Sequence, residues 1–345
     1  MSTGRPAAAT GPDPAPDELP DESAARTSGP PGSGTFSLEG RPAPGLYLIA
    51  WLLSGAGVAV AFIATLTMPP VSGVLFMAGL LLVGLGLAAG AGYQVMARSR
   101  RDPAAYRGPS PVIVFGVLFV FANSIGLALL SLGIADLATV PGFVVGAMTL
   151  FVGYLLAVWL FVIRTGALTW SDMGLAGRSL RENLASAGLG IGLMVPVTFI
   201  ALLIGGIVAQ LVNAQPPAVV PTPSGTGEML AIGLAAAILV PVGEEIFFRG
   251  FALTAWLRDR GPRTALVWSA LFFTLVHIAN ITAGFEEGAR QALLQSAVIL
   301  PLGFVLGWLF LQRGLVAAIA GHVTYNGLVL LLATVAQRFL PTPAG

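Results

Sequence analysis

A chain of 345 residues that is 56% hydrophobic and 10% charged, with mean hydropathy +0.86, is too apolar for a soluble domain and describes a multi-span membrane protein. All 17 basic residues are arginine, which excludes lysine Schiff-base and Ser-Lys chemistry, and the lack of cysteine excludes disulfides, thiol catalysis, thiolate metal sites and lipidation of the chain itself. The net charge of +1 says little about partners; membrane lipid is expected as one and nucleic acid is not.

Residues 1–43 are rich in Pro, Ala, Gly and acid and have almost nothing to bury, so a disordered cytoplasmic tail is expected there. A signal peptide is not expected, because no charged segment leads directly into a short apolar core. Apolar runs able to cross a bilayer follow near 45–67, 72–96, 111–135, 141–163, 186–212, 229–257, 264–281, 291–311 and 315–337. The fold class is therefore all-α: a polytopic transmembrane helical bundle of about nine spans, with eight the alternative count. Residues 44–164 form an N-terminal set of helices, 165–337 a second region, and 338–345 a C-terminal tail.

Arginine placement orients the spans. Arg98, Arg100, Arg101 and Arg107 fall in one loop, Arg164, Arg178 and Arg181 in the next on that side, then Arg258, Arg260 and Arg263, and finally Arg313. The alternate loops between spans hold Arg290 alone, which puts the N-terminus in the cytoplasm. The stretch around Trp170 is expected to lie at the membrane interface. Pro196, Pro241 and Pro301 fall within spans and invite kinks.

The chemistry concentrates in "PVGEEIFFRG", residues 241–250. Glu245 and Arg249 stand at i, i+4, the order that favours an intrahelical ion pair. Glu244 lies about 140° around the helix from Arg249, so its own helix offers no cation. An unpaired intramembrane carboxylate is a functional-site candidate. The next span carries Phe273 and His277 one turn apart; the last carries His322 and Asn326 at i, i+4. At 1.5 Å per residue, Glu244 and His277 each sit about 21 Å from the arginines bounding their spans, and His322 and Asn326 about 14 and 20 Å. These groups share a depth.

A carboxylate and an imidazole can activate water, while a second imidazole and a carboxamide can donate to an oxyanion. Glu244, His277 and His322 could instead hold one divalent metal such as zinc. No HExxH, GxGD or GxSG pattern offers another hydrolytic route.

EExxxR (Glu244, Glu245, Arg249), FxxxH (Phe273, His277) and HxxxN (His322, Asn326), in this order, resemble the CPBP intramembrane proteases, which include the Rce1-type CAAX prenyl endopeptidases and the bacteriocin-processing and Abi proteins. The resemblance covers about 165–337. It implies an all-helical membrane protease open toward the cytosol and the membrane. In that reading Glu244 and His277 activate water, His322 and Asn326 stabilise the oxyanion, and Glu245, Arg249 and Phe273 support the motif helices. Whether metal takes part is left open by the residues. The all-Arg, Ala/Gly/Pro-rich composition points to a bacterial plasma membrane and to a leader peptide or membrane-associated peptide as substrate. Two other functions fit the helices: a catalytically idle immunity or scaffold protein, and a proton-coupled carrier, although no inverted repeat supports the latter.

Overall fold

The computed structural model describes residues 38, 40–136, 138–214, 220–279, 281 and 284–339, without the side chains of 337–339. The expected N-terminal tail thus lies almost wholly outside the described residues, and so does most of the C-terminal one. From Pro42 onward the chain forms one compact unit.

Nine helices follow one another among the described residues: α1 (Pro44–Thr65), α2 (Val71–Arg98), α3 (Pro111–Ser131), α4 (Val140–Ile163), α5 (Leu180–Val212), α6 (Thr226–Arg260), α7 (Pro262–Ile278), α8 (Phe285–Arg313) and α9 (Leu315–Phe339). All except α7 are long and apolar enough to cross a membrane. The chain is a multi-pass membrane protein. Helix α7 has 17 residues, or about 25 Å of rise, at the lower limit for a bilayer core. This is the physical reason why both eight and nine suit the sequence.

Local chemistry sets several boundaries. Helix α5 starts six residues before the apolar run because Ser179 and Glu182 form a reciprocal capping box. Gly261 (φ 75°) and Gly314 (φ 84°) supply the left-handed backbone that reverses the chain between α6 and α7 and between α8 and α9. Pro262 then opens α7 at a position where its missing N–H is harmless.

Helix α6 is not a uniform α-helix. Its α-helical stretch Val240–Glu245 is flanked by π-helical turns over Gly233–Leu239 and Ile246–Leu253. Pro241 has no amide to offer the preceding turn, and the wider register lies directly before it. The kink expected at Pro241 is thus expressed as a change of helical register around the paired glutamates.

The arginine-bearing loops meet at one end of the bundle. Arg101 contacts Asp259 at 3.3 Å, Arg258 contacts Asp172 at 2.7 Å, and Arg178 donates to the carbonyl of Arg313. The segment around Trp170 folds onto this end, with Leu168 and Met173 buried in the core and Trp170 packed against it. That core is dominated by Phe247, Phe248, Phe251 and Phe273, with Tyr154 and Leu118 brought in from α4 and α3. A second cluster joins α5, α8 and α9 through Met194, Leu302, Leu306 and Tyr325.

Candidate active site

The charged residues of α6 point into the bundle. Arg249 is fully buried; it donates to Glu245 Oε1 at 2.7 Å and to the carbonyl of Gly303 at 3.3 Å, and its guanidinium lies 4.2 Å from the centroid of the Phe273 ring. The i, i+4 ion pair read from the sequence is therefore present, with additional partners on α7 and α8 that helical spacing could not reveal.

Glu245 does more than neutralise its own arginine. The same Oε1 accepts from His322 Nδ1 at 2.8 Å, which ties α6 to α9. This fixes the orientation of the His322 ring and turns Nε2 toward Glu244 Oε2, 3.7 Å away. Phe273 packs edge-on to the same imidazole, with ring centroids 5.8 Å apart.

Glu244 makes no hydrogen bond within its own helix or to any other described residue, and only 8% of it is exposed. It borders a cavity of about 310 Å³ shared with His277. His277 is held by its Nδ1, 2.7 Å from the carbonyl of Phe273, so that Nε2 is the nitrogen left for chemistry. The phenylalanine and histidine of FxxxH are thus linked physically: one supplies the carbonyl that orients the other. Asn326 Nδ2 donates to the carbonyl of Ala236 at 2.9 Å, on the π-helical turn before Glu244.

The residues singled out in the sequence fall into two groups around Glu244. Glu245, Arg249, Phe273 and His322 form a buried cluster on one side, with Asn326 one turn beyond. His277 stands at the cavity, which His322 and Asn326 do not line. Apart from Val276 on α7, the remainder of the cavity wall comes from α3 and α4, chiefly Phe115, Phe119, Leu127, Leu150 and Tyr154. Its other polar side chains, Asn123 and Thr149, are already bonded to carbonyls of their own helices, at Phe119 and Val145. The wall facing Glu244 is consequently mostly apolar, with the Tyr154 hydroxyl among its few polar groups. Neither α3 nor α4 carries a motif, so nothing in their sequence marks them as cavity walls.

Residues 226–328 match a family model, Rce1-like, described as type II CAAX prenyl endopeptidase Rce1-like. Over this region the chain is similar to the Rce1-like members of the CPBP/CAAX intramembrane proteases. No curated protein and no solved structure is significantly similar to it. The Rce1-like region holds Glu244, Glu245, Arg249, Phe273, His277, His322 and Asn326, whereas α3, α4 and α5 lie outside it. The match is narrower than the span 165–337 expected from the motifs.

The donors present in the Rce1-like region fit a tightly held divalent metal poorly. Glu244 Oε2 and His322 Nε2 face each other and are of kinds zinc accepts, but among the described residues no group of three His, Cys, Asp or Glu is placed to hold an ion. Protein zinc sites use at least three such ligands. The nearest further carboxylate oxygen, Glu245 Oε1, is committed to Arg249 and His322.

Proposed function

We propose that this membrane protein is an intramembrane endopeptidase that hydrolyses a peptide bond of a leader peptide or other membrane-associated substrate, using a water activated by Glu244 and His277. The observation that carries the reading is Glu244: a buried carboxylate without a hydrogen bond, bordering a mostly apolar cavity that an oriented imidazole, His277, also lines.

In this mechanism a water bound to Glu244 gives its proton to the carboxylate as its oxygen attacks the scissile carbonyl carbon. His277 holds the water through Nε2. The carbonyl π-bond becomes a tetrahedral oxyanion, for which His322 and Asn326 are the assigned donors. Asn326 keeps a second amide proton beyond the one given to Ala236; His322, with its Nδ1–H given to Glu245, donates from Nε2 only as the imidazolium. Collapse breaks the C–N bond, and the proton held by Glu244 passes to the departing amine. No step is routed through a metal.

The experiment is hydrolysis of internally quenched peptides by the purified protein in detergent, with fragments identified by mass. Cleavage at one bond, lost in Glu244→Gln, supports the endopeptidase. Proton flux into liposomes without any peptide turnover would replace it with the carrier.

A further inference from the structure

Tyr154 lies on α4, outside the Rce1-like region and outside every motif of the sequence. It is 2% exposed, and its hydroxyl makes no hydrogen bond to any described residue. A tyrosine buried to this degree ordinarily gives its hydroxyl a partner. This one belongs to a side chain that lines the cavity together with Glu244 and His277.

The position is built. The ring packs against Phe247 at 5.4 Å and Phe248 at 6.2 Å between centroids, both from the π-helical turn that follows the paired glutamates. On its other side it rests on Gly243, the residue immediately before Glu244. A Cβ at Gly243 would lie 3.0 Å from Tyr154 Cδ2 and 3.2 Å from Phe151 Cδ2. Even an alanine there would require the Tyr154 and Phe151 rings to give way by a few tenths of an ångström. The glycine of "VGEE" thus lets a phenol from the N-terminal helices dock beside Glu244.

We infer that Tyr154 is a substrate-binding residue of this site, donating its O–H to a backbone carbonyl of the peptide lodged in the cavity. The inference rests on the endopeptidase reading for the reaction, but not for the binding. Among the polar side chains of the cavity wall, Thr149 has given its hydroxyl proton and Asn123 one of its two amide protons to their own helices, and Glu244 and His277 are assigned to the water. Of these side chains, Tyr154 is the buried one whose single donor is uncommitted. A peptide carbonyl also needs one: an extended chain entering an apolar cavity leaves its main-chain acceptors unsatisfied unless the wall provides a hydrogen.

The test is Tyr154→Phe, which removes the oxygen and keeps the ring packing. With an internally quenched peptide that the parent cleaves, chosen from a set with varied apolar central residues, KM should rise about fivefold to tenfold, as for loss of one uncharged hydrogen bond. The maximal rate should stay within about threefold, the signature of a group that binds substrate and transition state alike. The thermal midpoint should not fall, because the hydroxyl has no partner in the bundle to lose. An unchanged KM overturns the inference, as does a loss confined to the maximal rate or a lowered midpoint.

A second measurement does not depend on turnover. Binding of the same peptide set to Glu244→Gln and to the double variant with Tyr154→Phe, read by fluorescence anisotropy, should differ by the same fivefold to tenfold. Equal affinities would remove Tyr154 from the site. If the parent cleaves no peptide, the endopeptidase reading fails, while this comparison still decides Tyr154.

Discussion

His322 Nδ1 lies 2.8 Å from Glu245 Oε1, the same oxygen that accepts from Arg249 at 2.7 Å. One carboxylate oxygen therefore holds a cation of its own helix and an imidazole 77 residues away. The two adjacent glutamates consequently have separate duties: Glu245 assembles the helices, and Glu244 is left without a hydrogen bond at the cavity.

Glu244→Gln is expected to lower the peptide-cleavage rate by at least about 10²–10⁴-fold, the range for loss of a general base, with yield and thermal midpoint unchanged. The glutamine is nearly isosteric and no hydrogen bond depends on the charge. Retained activity in this variant would refute the assigned base.

Glu245→Gln should behave in the opposite way with respect to stability. It strips Arg249, which is fully buried, of its counter-charge. Breaking such a pair costs about 3–5 kcal/mol, so the midpoint should fall by on the order of 10 °C. Activity should fall as well, since His322 loses its anchor. A variant with parental stability would show that Arg249 is compensated elsewhere.

A third expectation concerns the arginine-rich end. Partial burial raises the pKa of Asp172, but hydrogen bonds from Thr169 and the charge of Arg258 outweigh it and hold the carboxylate below its ordinary value of 3.8. A depressed folded-state pKa contributes stability above the unfolded value and loses it as pH falls through the folded one. Asp172→Asn should therefore melt slightly below the parent at pH 7, by less than about 1 kcal/mol for so exposed a pair. That gap should close as pH falls below 3.8 and through the depressed folded-state value. Parallel melting curves at pH 7 and pH 3 test this; a gap independent of pH would assign the effect to packing.

The donor geometry also predicts the outcome of metal removal. Peptide cleavage should persist in excess chelator, and elemental analysis of the active protein should find well under one zinc per chain. One tightly held zinc, with activity lost on its removal and regained on its return, would recast Glu244 and His322 as ligands and require a third that the present arrangement does not bring close.

The legible part of the site was the part carried by one-dimensional spacing. Glu245 and Arg249 are four residues apart on a helix, so their pairing follows from the rise and turn of the chain, and Glu244 follows as the residue left over. Depth could also be counted from the bounding arginines. The choice of partner across helices could not. That His322 binds Glu245 while only facing Glu244 depends on the rotation of α9 about its axis, which packing against α5 and α6 sets. Gly190 illustrates the tolerance involved, since a Cβ there would lie 2.3 Å from the carbonyl oxygen of Ala317.

The sequence by itself determined that the chain is a helical membrane protein, because twenty apolar residues in lipid can satisfy their backbone only as helix. It also determined which ionisable groups are buried, since their cost in lipid leaves few to consider. Tertiary structure decided the rest: the π-helical register around Glu244, the sharing of Glu245 by Arg249 and His322, and the cavity walled by α3 and α4. Those helices carry no charge pattern to betray a role. Their contribution is shape, and shape arises only when apolar side chains from separate segments pack together.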